Sequence, residues 1–150
     1  MKPLLVLLIV FVISIIISKV ASGNYDFALS GKISLSAMLI FTAVGHFAFN
    51  KGMTLMVPDF IPFKVALIYL TGVIEILFAI AVFFPAYRIS AGWLIIIFLL
   101  LLLPFNIYAA IKHIDYQKAT FDGNGIEYLW FRIPLQILFI LWTYLSVIKH

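Results

Sequence analysis

Hydrophobic residues are concentrated in five runs along the chain, and most polar residues lie in the short stretches between them. The runs occupy residues 3–21, 33–57, 65–84, 91–111 and 133–148. A helix rises about 1.5 Å per residue, so about 20 apolar residues cross the roughly 30 Å hydrocarbon layer of a membrane. We therefore predict an all-α fold, a polytopic membrane helical bundle of five spans with a polar loop at residues 112–131.

Proline residues set several of these boundaries. Pro58 closes the second run and Pro85 stops the third, whereas Pro104 is expected to kink the fourth span. The fifth run is the shortest, and its helix is expected to begin about one turn earlier, near Trp130.

The composition agrees with a membrane location. Hydrophobic residues make up 65% of the 150 residues and charged residues only 11%, with a mean hydropathy of +1.20. Such a chain has too few polar side chains to cover a surface that faces water. The net charge of +4 comes from basic residues scattered at the ends of the runs. We therefore exclude nucleic acid as a partner, because its binding needs clustered basic residues.

The first run also has features of a signal peptide. It follows a "MK" start, and Val20, Ala21 and Ser22 would form a passable cleavage site. The run is long for the apolar region of a signal peptide, which favours an uncleaved first span.

Basic residues give a weak prediction of orientation, because cytoplasmic loops of membrane proteins carry an excess of lysine and arginine. Alternating spans place the N-terminus, the 50–64 turn and the 112–131 loop on one side, called the loop side below. Six basic residues lie on the loop side: Lys2, Lys51, Lys64, Lys112, Lys118 and Arg132. Four lie on the other side: Lys19, Lys32, Arg88 and Lys149. We expect the loop side to be cytoplasmic.

One carboxylate, Glu75, lies inside the third run, with no other charge between Lys64 and Arg88. Counted from the loop-side end of the run, Glu75 is roughly 15 Å deep. His46 in the antiparallel second run is roughly 16 Å deep by the same count. The two ionisable groups are therefore predicted to lie at one level and to interact.

Other polar residues are placed above this pair, towards the loop side. Thr42, His46 and Asn50 are spaced four residues apart, as in one stripe of a helix. The predicted ligand-binding residues are His46, Asn50, Glu75, Asn106, Arg132 and Gln136. No comparably polar set is found in the other half of the spans. We predict a one-sided polar pocket that is open to the loop side, with His46 and Glu75 at its floor.

Two interpretations of Glu75 remain. An acid inside a membrane costs about 2.5–3.5 kcal/mol on insertion scales and by default marks a functional site. Alternatively, Glu75 and His46 form a neutral, hydrogen-bonded strut that only holds two helices together.

Five motifs in order resemble the DoxX-like family of small bacterial integral membrane proteins. They are "GHFAFNKGM", "VPDFIP", "YLTGVIEIL", "PFNIYAAIKH" and "RIPLQ". The resemblance implies a four-helix DoxX-like core in a bacterial inner membrane, here with one extra N-terminal transmembrane helix. Its recurrent polar positions match His46, Glu75, Asn106, Arg132 and Gln136. Relatives are linked to membrane-bound oxidoreductase complexes, including quinone-linked ones.

Three functions are compatible with these residues. The first is a protein that binds a quinone- or lipid-like molecule, with a quinone as the candidate cofactor. Its partners would be membrane lipids and a redox partner subunit. The second is a non-catalytic scaffold or assembly chaperone. The third is an isomerase-like enzyme with Glu75 and His46 as an acid–base pair. The chain has no cysteine for thiol chemistry, and no metal or haem site is evident.

The 112–131 loop is rich in aromatic residues: Tyr116, Phe121, Tyr128 and Trp130. They predict either a cover that folds back over the pocket or a short helix lying flat at the membrane surface.

Overall fold

The protein is helical throughout in the computed structural model, which describes residues 2–58, 60–115, 120–123 and 125–149. Its helices are α1 (Lys2–Ser22), α2 (Phe27–Ala48), α3 (Asn50–Leu55), α4 (Lys64–Ala81), α5 (Arg88–Ile111) and α6 (Leu129–Thr143). A 3-10 turn, Ile126–Tyr128, precedes α6, and a π-helical turn, Tyr144–Ile148, follows it. Over the described ranges there is no β-strand, only one isolated bridge between Asp115 and Thr120.

Among the described residues, five helical segments are long and apolar enough to cross a membrane: α1, α2, α4, α5 and the composite segment Ile126–Ile148. Their mean hydropathy lies between 1.6 and 3.0. The predicted all-α architecture with five spans is confirmed, and the chain is a multi-pass membrane protein.

The second span differs most from its predicted bounds of 33–57. It begins at Phe27 because the Asp26 side chain accepts a hydrogen bond from the Leu29 backbone N–H at 3.0 Å and caps the helix. It ends at Ala48, where Phe49 leaves helical geometry. Asn50 therefore belongs to the separate short helix α3, and the predicted stripe of Thr42, His46 and Asn50 is interrupted.

The other spans differ less. α4 begins at Lys64, after Phe63 in the left-handed backbone conformation, and ends at Ala81 rather than at 84. α5 continues through Pro104 to Ile111. The last span begins before 133, in agreement with the expected start near Trp130.

α2 is the central helix of the bundle. It contacts α1, α3, α4, α6 and the π-helical turn. α5 packs mainly on α6 and on the 3-10 and π-helical turns at the two ends of α6. α1 lies at the periphery with most of its apolar side chains exposed, and over residues 3–22 only Leu7 is fully buried. Because α1 is peripheral, the α2–α4 interface is the most extensive contact between spans inside the bundle. Polar side chains can be enclosed there.

The half of the bundle remote from the loop side contains a set of buried hydroxyl groups that the sequence analysis did not expect. They belong to Ser30, Ser34, Ser36, Thr143 and Ser146. Ser36 donates a hydrogen bond across the α2–α4 interface to the Ala79 carbonyl at 2.8 Å. Thr143 bonds to the carbonyl of Phe139 in its own helix at 2.9 Å. Buried polarity is thus not confined to the loop-side half, although hydroxyl groups alone account for it here.

Candidate functional site

His46 on α2 and Glu75 on α4 are in contact, as predicted from their depth. Their Nε2 and Oε2 atoms are 3.4 Å apart. Both residues are buried, with 8% of His46 and 3% of Glu75 exposed. Glu75 lies about 16 Å along α4 from its loop-side start, whereas His46 lies two residues before the end of α2 at Ala48.

Hydrogen bonds of the second ring nitrogen orient the His46 imidazole. Nδ1 is 3.1 Å from the Ile68 carbonyl oxygen and 2.9 Å from Thr71 Oγ1. The Thr71 hydroxyl is also 2.9 Å from that carbonyl. A carbonyl oxygen only accepts, so the contact with Ile68 assigns a hydrogen to Nδ1. Nε2 is then the atom that faces Glu75, and it can share a proton with the carboxyl group.

The pair has two protonation states of equal net charge. Either a protonated Glu75 donates to neutral His46, or a carboxylate faces an imidazolium. Both states are neutral overall, which lowers the cost of burying the pair in an apolar surrounding. The arrangement can hold one proton between Nε2 and Oε2 and pass it to a third group, as general acid–base chemistry requires.

Thr42 is the third polar side chain at Glu75. Its hydroxyl oxygen is 3.1 Å from Glu75 Oε2 and 2.9 Å from the Leu39 carbonyl oxygen. A hydroxyl has one hydrogen to donate, so Thr42 bonds to only one of the two at a time. Within the described ranges, both Glu75 contacts are made by Oε2. The second carboxyl oxygen is therefore available to an added group.

Gly72 brings α2 and α4 close together at the level of His46. A Cβ atom at Gly72 would lie 3.0 Å from His46 Cβ and 3.3 Å from two atoms of the Phe47 ring. Sequence reasoning missed this residue. The signal was present, because Gly72 lies three residues before Glu75 and small residues allow close contact between membrane helices.

We expect Gly72→Ala to displace His46 from Glu75, because the added methyl group meets the His46 Cβ atom rather than a flexible chain end. The expected cost is about 1–3 kcal/mol of unfolding free energy. Nuclear magnetic resonance of the labelled His46 ring should show a changed Nε2 shift. An unchanged His46 spectrum would contradict this role, and Gly45→Ala is a control on α2 because its Cβ would make ordinary contacts from 3.5 Å.

Among the other predicted site residues, the described hydrogen bonds of Asn50, Asn106 and Gln136 go to backbone carbonyls and not to the pair. Asn50 Nδ2 lies 3.5 Å from the Val65 carbonyl oxygen, nearer the loop side. Arg132 is half-buried at the start of α6. Asn106 donates to the Leu102 carbonyl at 3.1 Å and Gln136 to the Leu99 carbonyl at 2.5 Å.

The last two bonds are made to carbonyl groups of α5 that precede Pro104. Pro104 lacks the N–H that would bond to the Leu100 carbonyl. Asn106, two residues after the proline, donates to the Leu102 carbonyl rather than to that of Leu100. The amides of Asn106 and Gln136 therefore add hydrogen bonds to the α5 backbone on both sides of Leu100.

Two aromatic residues of the 112–131 loop do not cover the pair. Trp130 is 85% exposed, and Phe121 is also exposed. The 3-10 turn packs against α5 and α6. Tyr116 lies outside the described residues. The loop has a surface cavity of its own, lined by His113, Gly123, Gly125, Ile126 and Glu127. No group of three metal-ligating side chains occurs in the described ranges.

Comparison with known proteins places the chain in a family without assigning a function. Neither the curated proteins nor the solved structures gave a match. A family described as a domain of unknown function, DUF8561, matches residues 35–147. The matched region contains both His46 and Glu75 and leaves α1 outside. Since it covers more than half of the 150 residues, the chain belongs to the DUF8561 family.

Proposed function

We propose that this protein binds the polar head of a lipophilic molecule at the His46–Glu75 pair and exchanges a proton with it. One observation carries the proposal: an acid that is 3% exposed lies about 16 Å along an apolar helix and is paired with a buried histidine. An intramembrane ionisable residue is expensive, and by default it marks a ligand site or a proton pathway.

Holding α2 against α4 does not require an acid. The same two helices are already joined by the bond from the Ser36 hydroxyl to the Ala79 carbonyl, 2.8 Å long. Such a bond contributes about 0.6–2 kcal/mol in membrane proteins without placing an ionisable group in the bilayer. The choice of Glu75 over a hydroxyl or amide supports a role in proton exchange.

The surroundings support a lipid-soluble ligand. The outer faces of the spans carry large exposed apolar side chains, which suit contact with lipid around the bundle. A quinone- or lipid-like molecule reaches this depth readily, and its head offers oxygen atoms for hydrogen bonds.

The resemblance to DoxX-like proteins supports a quinone and a redox partner subunit. In that proposal, α2 to α6 form the DoxX-like core in a bacterial inner membrane and α1 is the extra span. The peripheral position of α1 is compatible with this arrangement.

A scaffold is the second candidate, and the bonds to the α5 backbone favour it. Gln136 donates from α6 to the Leu99 carbonyl on α5, and Asn106 donates within α5. Such bonds between and within helices set the register of a bundle without any ligand. A scaffold needs no proton at Glu75, so the two functions differ in a measurable way.

Binding of decyl-benzoquinone by the full-length protein in lipid nanodiscs tests the proposal. We expect Glu75→Gln and His46→Gln each to weaken binding at least tenfold, because each removes the exchangeable proton but keeps much of the side-chain volume. Ser36→Ala is the matched control, since it removes a buried bond between the same helices. Equal binding by all four proteins would favour the scaffold.

A further inference from the structure

We propose that the cavity in the 112–131 loop binds a phosphate head that carries a primary ammonium group, as in phosphatidylethanolamine. The ammonium group is assigned to the Glu127 carboxylate and a phosphate oxygen to the His113 imidazole. The cavity lies outside the two spans that hold the His46–Glu75 pair, so the two sites are independent.

The cavity lies where the loop meets the membrane surface. α5 ends at Ile111 and the last span begins at Ile126, both on the loop side. The cavity has a volume of about 510 Å³ and is lined by His113, Gly123, Gly125, Ile126 and Glu127. Small-molecule sites have volumes of about 300–1,000 Å³, and lipid heads occupy the layer just outside the hydrocarbon. Size and position therefore suit the head group of a lipid.

His113 occupies a backbone position that is typical of glycine. Its φ angle is 54°, in the left-handed region. The Ile114 N–H bonds to the Ala109 carbonyl at 2.9 Å, and the His113 N–H is 3.3 Å from the Ala110 carbonyl. Such a pair of bonds commonly ends a helix around a glycine, because a side chain strains the left-handed conformation. A histidine at a strained position indicates a use for its ring.

The loop is folded around the His113 ring. A Cβ atom at Gly125 would lie 2.5 Å from Cε1 and 3.0 Å from Nδ1 of this ring. Gly125 has a φ angle of −95°, which any residue adopts, so the missing side chain serves to make room for the imidazole. On the other side, the Gly123 N–H donates to the His113 carbonyl at 2.7 Å. Both glycines thus hold the ring at the wall of the cavity.

Glu127 adds a carboxylate to the same cavity. It lies in the 3-10 turn two residues after Gly125. A carboxylate accepts hydrogen bonds and attracts cations, whereas an imidazole N–H donates to an acceptor oxygen. Along the described part of the chain, metal-ligating side chains never come together in threes, which disfavours a metal ion as the ligand. An ammonium phosphate engages both side chains through charge-assisted hydrogen bonds.

The two side chains distinguish among lipid heads. Phosphatidylcholine has no N–H to donate to Glu127, and phosphatidylglycerol brings a negative charge without a cation. Phosphatidylethanolamine has three N–H donors on its ammonium group, next to a phosphate. Ile126 also lines the cavity and is exposed, so it gives the cavity an apolar edge that suits acyl chains.

Lipid retention by the full-length protein tests the proposal. Nanodiscs would contain equal amounts of the three lipids with mass-coded acyl chains, and native mass spectrometry would count those that stay bound. We expect phosphatidylethanolamine to be retained about fivefold over phosphatidylcholine. In Glu127→Gln this ratio should fall to about one. Asp122→Asn is the matched control and should keep the ratio, because it removes the same charge from the same loop at a residue that does not line the cavity.

His113→Gly separates a binding role of the ring from a structural one. Glycine relieves the strain of the left-handed conformation, so the melting temperature should stay the same or rise. The preference for phosphatidylethanolamine should nevertheless fall to about one. A lower melting temperature together with an unchanged lipid preference would assign the ring to packing and overturn its role in binding.

Magnetic resonance of ¹⁵N-histidine observes the contact in the unsubstituted protein. The chain has three histidines, and the His113 signal is the one that is missing from His113→Gly. We expect this signal to shift when phosphatidylethanolamine replaces phosphatidylcholine in the nanodisc. Glycerophosphoethanolamine, the same head without acyl chains, distinguishes the two sources of this chemistry. A shift with both compounds supports recognition of the head alone, and a shift with the lipid alone identifies a membrane lipid as the ligand.

Two results would overturn the proposal. One is an unchanged His113 signal together with equal retention of the three lipids. The other is a preference for phosphatidylethanolamine that survives Glu127→Gln, because the lipid would then bind elsewhere on the protein.

Discussion

Glu75→Gln is expected to destabilise the protein strongly by itself and to cost little more once His46→Gln is present. Each single change leaves the other member of the pair buried without its partner, whereas the double change removes both ionisable groups. We expect a coupling of about 1–3 kcal/mol between the two positions. Unfolding of the four proteins in mixed micelles, followed by circular dichroism, measures it.

A control cycle uses Thr143→Val in place of His46→Gln. Thr143 bonds within α6 to the Phe139 carbonyl and lies in the other half of the bundle. Its effect should add to that of Glu75→Gln, because distant sites that share no partner are independent. Additive losses in the His46 cycle as well would show that the 3.4 Å contact contributes nothing to stability.

Gly31→Ala is expected to be the most disruptive single-methyl change in the bundle. A Cβ atom at Gly31 would lie 2.8 Å from Ser146 Cβ in the π-helical turn, and the Ser146 hydroxyl would be closer still. Trp142 Nε1 donates to the Gly31 carbonyl at 3.1 Å, so the two segments cannot separate without losing this bond. Overpacking of this kind costs about 1–3 kcal/mol, occasionally more.

Two further variants serve as a control and as a compensating change for Gly31→Ala. Gly45→Ala adds the same methyl group to α2, where the nearest atom is Met53 Cε at 3.5 Å, and should be neutral or stabilising. Combining Gly31→Ala with Ser146→Gly removes the opposing side chain and should recover stability. If Gly31→Ala is as well tolerated as Gly45→Ala, the close approach of α2 to the π-helical turn is not required.

Length and apolarity made the five spans predictable, since a membrane accepts only segments that satisfy both conditions. The His46–Glu75 contact was predicted by counting depth along antiparallel helices, although α2 ends at Ala48 and not at the predicted residue 57. Depth, however, says nothing about neighbours in the membrane plane. Asn106 and Gln136 were predicted at suitable levels, yet their bonds go to the α5 backbone.

The remaining differences come from interactions that side-chain patterns do not encode. The break at Phe49 has no proline or glycine to mark it. The hydrogen on His46 Nδ1 is assigned by a backbone carbonyl, that of Ile68, which any residue would supply. In the sequence, the serines of α2 are weakly polar positions whose direction is not marked. The packed bundle shows that they face its interior.

The short distance between His46 and Glu75 has a consequence for the membrane potential. A proton that moves between Nε2 and Oε2 travels only 3.4 Å, about a tenth of the roughly 30 Å hydrocarbon layer, so it does little electrical work in any direction. A proton that reaches the pair from either surface crosses about half of the field, which amounts to about 1.2 kcal/mol per 100 mV. Proton transfer within the pair therefore depends little on the membrane potential, whereas uptake and release of a proton by the pair depend on it.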